Sequence, residues 1–167
     1  PHTDMDKTVA MEFPNLELSR LQLKGRQEAK DNERKEISCV FCGMVYQGVR
    51  DPGFAMKLFS GLKNDTKLVM VGVTRKEASA YVPERDIGNN ITFCGYLPAD
   101  ETQDYIETAD FLVNIGNKVL NQVPSKLFTY IATGKPIINL CTSRNCPTIP
   151  YLDKYPLSLS VFEDDIL

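Results

Sequence analysis

Four short apolar runs in this chain end on a glycine. Residues 37–42 are followed by Gly43, 66–71 by Gly72, 90–94 by Gly95 and 111–115 by Gly116. Runs this short and this continuously apolar predict buried strands, covered on both faces. The segments between them are patterned as helices. One opens at Pro52 with Asp51 as its N-cap and runs to about Leu62. Thr74 caps the next, from Arg75 to about Val82, and Pro83 breaks it. A third spans Pro98 to Ala109, with Asp100 and Glu101 in the first turn, where the helix dipole favours acids. A fourth covers 124–133, and strands follow at 136–140 and 157–161, separated by a loop with a short helix near 148–154. Alternation of this kind means parallel βαβ units. The expected fold is therefore α/β: a Rossmann-like three-layer α/β/α domain with a mostly parallel six-stranded sheet. Ligands of such sheets lie beyond the C-terminal strand ends, near the point where strand order reverses. The loops 43–50, 95–97, 116–124 and 141–147 all emerge there.

Length and composition narrow the class. The chain has 167 residues, enough for one domain with a substantial core. Residues 24–36 are mostly charged, with both signs mixed, so 1–36 read as a connector and 37–167 as the domain. A net charge of −3 argues against a broad nucleic-acid surface. No apolar stretch reaches the roughly 18 residues of a membrane span, and no leader sequence is visible. Five cysteines without a framework spacing point to a reducing, cytoplasmic setting. Cys39-x-x-Cys42 has half the spacing of a zinc site, but residues three apart on a strand face opposite sides, so both read as core thiols. His2 is the only histidine, which excludes a histidine triad or a histidine metal cluster. No metal and no resident cofactor are expected. The dinucleotide Gly-x-Gly-x-x-Gly and the phosphate-loop Gly-Lys-Ser/Thr are both absent.

The stretch Asn121-Gln122-Val123-Pro124-Ser125-Lys126-Leu127-Phe128-Thr129-Tyr130 carries the chemistry. Leu127, Phe128, Ile131 and Ala132 recur at helical spacing. Pro124 suits the first helical position, Gly134 ends the helix and Pro136 prevents continuation. The amides of Ser125, Lys126 and Leu127 would then point out of the helix start as a backbone anion site. Arg50, in the loop after the first strand, faces the same crevice, with Lys126 beside it. Together these groups would hold a diphosphate. The plainer alternatives are an ordinary α/β helix and two surface cations.

From Ile37 onward the chain resembles the C-terminal, donor-binding domain of GT-B glycosyltransferases, in particular bacterial retaining enzymes of the capsule and exopolysaccharide type. The resemblance rests on Phe41-Cys42-Gly43-Met44-Val45-Tyr46-Gln47-Gly48-Val49-Arg50-Asp51-Pro52, on Ile91 to Pro98, on Ala109 to Asn117, and most strongly on Asn121 to Ile138. It covers roughly three quarters of the chain. It implies a nucleoside-diphosphate sugar, of the uridine class, as donor, and Arg50, Lys126 and Asn121 as the reacting-centre residues. Gly43, Gly95, Tyr96, Leu97, Asn117, Pro124, Ser125 and Thr129 would line the donor site, with the base against the backbone of 95–97. The family places a glutamate that addresses the transferred sugar where this chain has Asn121. It places a second glutamate, on the ribose hydroxyls, where this chain has Thr129. A family arginine just after the loop glycine has become Met44. An asparagine still donates and accepts toward sugar hydroxyls, whereas threonine is a shorter, neutral substitute for a carboxylate.

The expected function is the donor-binding half of a glycosyltransferase acting on a saccharide or lipid-linked acceptor. An acceptor domain would lie N-terminal to it, and the full enzyme would be able to associate peripherally with a membrane. Two other readings are open. One is a non-catalytic glycosyltransferase-like module for assembly, favoured by the residues at 121 and 129. The other is an unrelated doubly wound domain with a different anion ligand.

Overall fold

The computed structural model describes residues 36–63 and 65–166; apart from Glu36, the expected connector lies outside them. Six strands form one sheet: β1 (Ile37–Cys42), β2 (Thr66–Val71), β3 (Ile91–Gly95), β4 (Phe111–Ile115), β5 (Ile137–Cys141) and β6 (Ser158–Phe162). Their spatial order is β3-β2-β1-β4-β5-β6. Every strand pairing among the described residues is parallel. The order reverses between β1 and β4, so the loops leaving those two strands diverge and open a crevice at the sheet edge.

The helices are α1 (Gly53–Ser60), α2 (Arg75–Ala78), α3 (Ala99–Thr108), α4 (Lys126–Ala132) and α5 (Ile149–Leu152). Alternate strand residues feed two separate cores. On one face Phe41, Leu68, Met70, Val113 and Leu140 pack under Phe54, Met56 and Phe59 of α1 and Ala78 of α2. On the other, Val40, Cys42, Val71, Leu112 and Ile137 pack under Ile106 of α3, Leu127 and Tyr130 of α4 and Leu152 of α5. Cys39 belongs to the first core and Cys42 to the second, as strand alternation requires.

Several element ends differ from expectation for local reasons. Pro52 takes the N-cap position of α1, and Asp51 acts one residue earlier: its Oδ1 accepts from the Gly53 N–H at 2.8 Å. The helix at 75–82 shrinks to one turn, Arg75–Ala78; ahead of Pro83 the chain goes on in tighter turns, with the Ala80 N–H donating to the Glu77 carbonyl at 3.2 Å and the Tyr81 N–H to Ala78 at 3.0 Å. Its Thr74 cap is present as a full capping box with Glu77. The helix expected from Pro124 starts at Lys126 instead. A tight turn precedes it, in which the Leu127 N–H donates to the Pro124 carbonyl at 3.0 Å and the Phe128 N–H to Ser125 at 3.2 Å. The Leu127 amide is thus closed, and the anion site expected from three open amides is smaller. Asp110, just ahead of β4, caps the first strand: its Oδ2 accepts from the Ser38 N–H at 2.9 Å.

The strand-ending glycines serve different ends. Gly72 has φ +87°, and a Cβ there would stand 2.8 Å from the Gly43 carbonyl oxygen. Gly48 has a similar φ of +77° with nothing within 4 Å. Gly72→Ala is therefore expected to destabilise the domain by about 2–4 kcal/mol, from strain and backbone contact together, and Gly48→Ala by only about 1 kcal/mol, from strain alone. Urea unfolding of the two variants checks this; equal losses would mean that the contact with Gly43 is relieved without cost.

Candidate functional site

The site is built on the C-terminal ends of β1, β2 and β3 and the first residues of α3 and α4. Leaving β1, the chain makes a small closed loop: the Tyr46 N–H donates to the Arg50 carbonyl at 3.1 Å and the Arg50 N–H to Tyr46 at 2.8 Å. Gly48, in its left-handed conformation, allows the reversal. Arg50 is thereby delivered to the base of the loop, half-buried. Its Nε donates to Asn117 Oδ1 at 2.9 Å and its Nη1 to the Met44 carbonyl at 3.3 Å.

Asn117, buried at the start of the β4–α4 loop, uses its other side to hold that loop, with Nδ2 donating to the Gln122 carbonyl at 3.0 Å. Two further links fasten the two loops. The Lys118 N–H donates to Val49 at 2.7 Å, and Lys118 Nζ pairs with Asp51 at 2.9 Å. Burial pulls the Arg50 guanidinium below its ordinary pKa, with Tyr130 and Tyr46 opposing. A guanidinium still keeps its proton near neutrality. A partly desolvated cation of this kind gains most from an anionic partner.

Tyr130 fixes α4 against the sheet. It is 1% exposed, and its hydroxyl accepts from the Cys42 N–H at 2.8 Å, just where β1 ends. Its burial drives the phenol well above its ordinary pKa, so it stays neutral. This anchor sets Lys126, one turn earlier, at the edge of an open cleft of about 180 Å³. Cys42, Gly43, Met44, Val71, Gly72, Tyr96, Leu97, Ala99, Thr102 and Lys126 line it. Exposed Tyr96 is held from outside: its hydroxyl donates to Glu77 Oε1 at 2.5 Å. That bond, with those from Thr74, keeps the Glu77 carboxyl below its usual range.

Of the residues expected in a site, Gly43, Tyr96, Leu97 and Lys126 line this cleft. Gly95, with φ +64°, turns the chain into it. Arg50 stands behind the cleft wall, its Nη1 3.3 Å from where a Cβ on Gly43 would be. Asn117 acts on Arg50 and on the loop. Pro124 is buried, Ser125 and Asn121 are exposed, and Thr129 is half-buried on α4; none of these four is part of the lining. Ala99 and Thr102 also line the cleft; their i, i+3 spacing at the start of α3 places them on one face. Among the described residues no group of three or more histidine, cysteine or acidic side chains is placed to hold a metal. No described helix is long and apolar enough to cross a membrane.

No protein-family model matches the chain. No curated protein matches it either. Solved structures do. Anabaena HepE in complex with UDP and glucose superposes with a TM-score of 0.60 at 10% identity, over 77% of this chain and 35% of that one. The same protein in complex with UDP-glucose gives 0.53 at 12% identity, over 69% and 32%. The apo lipopolysaccharide outer core galactosyltransferase WaaB gives 0.49 at 17% identity, over 64% and 30%. The chain thus spans about a third of the length of the solved proteins it matches. What this likeness shows is the fold: the six-stranded parallel sheet of this chain, with its flanking helices, is a Rossmann-like α/β domain.

Proposed function

We propose that residues 37–167 are the donor-binding domain of a GT-B glycosyltransferase, and that the cleft beyond β1 takes a nucleoside diphosphate sugar, with uridine as the base. The observation that carries this reading is a cleft beyond the C-terminal ends of β1, β2 and β3, with Lys126 in its lining and Arg50 behind its wall, on a fold shared with a protein solved with UDP and with UDP-glucose. The diphosphate would lie between Lys126, the open amides of Ser125 and Lys126, and Arg50. Negative charge develops on the departing diphosphate as the glycosidic bond breaks, and fixed cations and amides are most effective there. With two cations in place the charge is met without a metal. The base would rest beside Tyr96 and Leu97. Asn121 would address the transferred sugar through its amide. The acceptor, a saccharide or a lipid-linked one, would bind a second Rossmann-like domain preceding this one. The reaction would take place in the cytoplasm, where nucleotide sugars are donors; bacterial polysaccharide synthesis is the proposed context.

Direct titration of the chain with UDP, uridine and inorganic phosphate tests this. UDP is expected to bind and to raise the melting temperature, uridine less so. A response to phosphate as strong as to UDP would instead mean an anion site of another kind. The neutral residues at 121 and 129 favour a second reading, an assembly module that no longer binds donor, and that reading predicts no response to any of the three.

Thr129 gives a sharper check. A carboxylate at this position would accept from both ribose hydroxyls. Thr129→Glu is therefore expected to tighten UDP binding about five- to a hundredfold, through two bonds to a charged acceptor. The gain should largely vanish with a 2′,3′-dideoxy ligand. Equal gains for both ligands would remove Thr129 from the ribose site.

A further inference from the structure

The two faces of the sheet are covered unequally. Among the described residues, α3, α4 and α5 contribute to the core on one face, and only α1 and α2 to the core on the other. On that second face α1 lies against β2 and β3, so the cover thins toward β6. Val113, Ile138 and Leu159 are register neighbours on β4, β5 and β6 and share this face. Val113 is fully buried, Ile138 is half-buried and Leu159 is 61% exposed. A parallel sheet is ordinarily buried on both faces. Here the bare part forms a groove of about 290 Å³, between the end of α1 and the starts of β1, β4, β5 and β6. Every lining residue except Thr66 is apolar. Ile37, Leu62, Leu159 and Ile166 stand on its rim, each more than a third exposed. A continuous apolar surface of this kind marks a docking site.

The chain enters the domain beside this groove. Ile37, the first residue of β1, belongs to the lining, and 35 residues precede Glu36. They divide sharply by composition. Eight of the fifteen residues at 9–23 are apolar, among them Met11, Phe13, Leu16, Leu18, Leu21 and Leu23, whereas 24–36 hold nine charges in thirteen. The first stretch is suited to an apolar surface and the second to water. We propose that residues 9–23 dock in this groove and cover the bare face of β4, β5 and β6, with 24–35 as the tether. The length allows it: twelve tether residues reach about 40 Å at roughly 3.3 Å each. The strands of the groove are five or six residues long, about 17–20 Å. A tethered segment also meets the groove at an effective concentration of about millimolar, which favours it over a second copy of the chain. Docking removes apolar surface of both parts from water. The groove lies toward the starts of the strands, away from the donor cleft at their ends, so the proposal stands whether or not the domain binds a nucleotide.

The chain contains no tryptophan, so one introduced into the segment reports its surroundings by fluorescence. Phe13→Trp and Leu16→Trp are made separately in the full chain. Each is measured alone, with Leu159→Asp in the groove, and with Leu157→Asp, a control of equal charge outside the lining. Leu159 and Leu157 are both about half exposed or more, so neither change reaches the core. At least one indole is expected to emit at shorter wavelength than in the urea-unfolded chain. Acrylamide should quench it at least about threefold less than in the matching Leu159→Asp protein, as a shift from mostly docked to mostly undocked requires. Leu157→Asp should leave the signal unchanged, and so should dilution, because the contact is within one chain. The emission of a solvent-exposed indole from both probes would overturn the proposal. So would burial that Leu159→Asp does not alter. Burial lost on dilution would overturn it as well, and would give the groove to a second copy.

Discussion

Asn139→Leu is expected to lower the unfolding free energy of the domain by about 3–5 kcal/mol, two or more buried groups each losing a partner at about 1–3 kcal/mol. Asn139 lies in the middle of β5 with no exposed surface. Its Oδ1 accepts from Asn114 Nδ2 at 2.7 Å and from the Thr148 hydroxyl at 3.1 Å, and its Nδ2 donates to Ser160 Oγ at 3.0 Å. Asn114 and Ser160 are its direct register partners on β4 and β6, so the three form a polar row across the sheet. Leucine fills the same volume but makes none of these bonds. Asn114 and Thr148 would remain buried with an amide and a hydroxyl deprived of this partner.

Urea unfolding measures the loss as a shift in midpoint at constant slope. The double variant Asn114→Leu, Asn139→Leu should recover part of it, because removing both partners costs less than orphaning one. A single variant as stable as the wild type would mean that the row contributes nothing.

That row also marks the limit of what the sequence discloses. The apolar runs and their glycines predict six strands, and the alternation predicts the parallel class. The polar residues within those runs look like interruptions until the register pairs Asn114 with Asn139 and Asn139 with Ser160. Register between parallel strands is set by contacts far apart in sequence, and no local pattern encodes it. The glycines show the same limit. Gly72 and Gly116 look alike as strand ends, yet one is required by its left-handed backbone and its approach to Gly43, the other by the sulfurs of Cys141 at the end of β5 and of Cys146 in the loop after it.

In the candidate site, Gly43, Tyr96, Leu97 and Lys126 were legible because they sit at strand or helix ends, where topology places them. The start of α4 was not. Proline at 124 signals a helix start, but the tight turn that closes the Leu127 amide and the bond of Tyr130 to the end of β1 are set only in the fold. The role of Arg50 was half legible: its place in the loop followed from the sequence, its grip on Asn117 only from the fold.

Arg50→Ala is expected to weaken UDP binding about ten- to a hundredfold and uridine binding little. The estimate is one or two charge-assisted hydrogen bonds to phosphate, about 1.5–3 kcal/mol. Two effects could produce such a loss, since Arg50 also holds Asn117 and through it the 116–124 loop. Asn117→Ala separates them: it keeps the positive charge of Arg50 and removes the bonds by which Asn117 holds Arg50 and the loop. If the charge is what matters, Asn117→Ala should lose clearly less UDP affinity than Arg50→Ala, and Arg50→Lys should recover part of the loss. Lys126→Ala should resemble Arg50→Ala in sparing uridine. Calorimetric titration of each variant with UDP and uridine provides the numbers. Equal losses for the two ligands would place both cations away from the phosphates.

The central claim is that the cleft beyond β1 holds a nucleoside diphosphate, and the most direct test is a UDP titration of the ¹⁵N-labelled chain followed by amide chemical shifts. The account predicts saturable shifts at Gly43, Met44, Arg50, Tyr96, Leu97 and Lys126, with the amides of β5 and β6 far less affected. Inorganic phosphate should reproduce only the part around Lys126 and Arg50. Saturable shifts confined to another surface, or none at UDP concentrations well above the millimolar range, would contradict it.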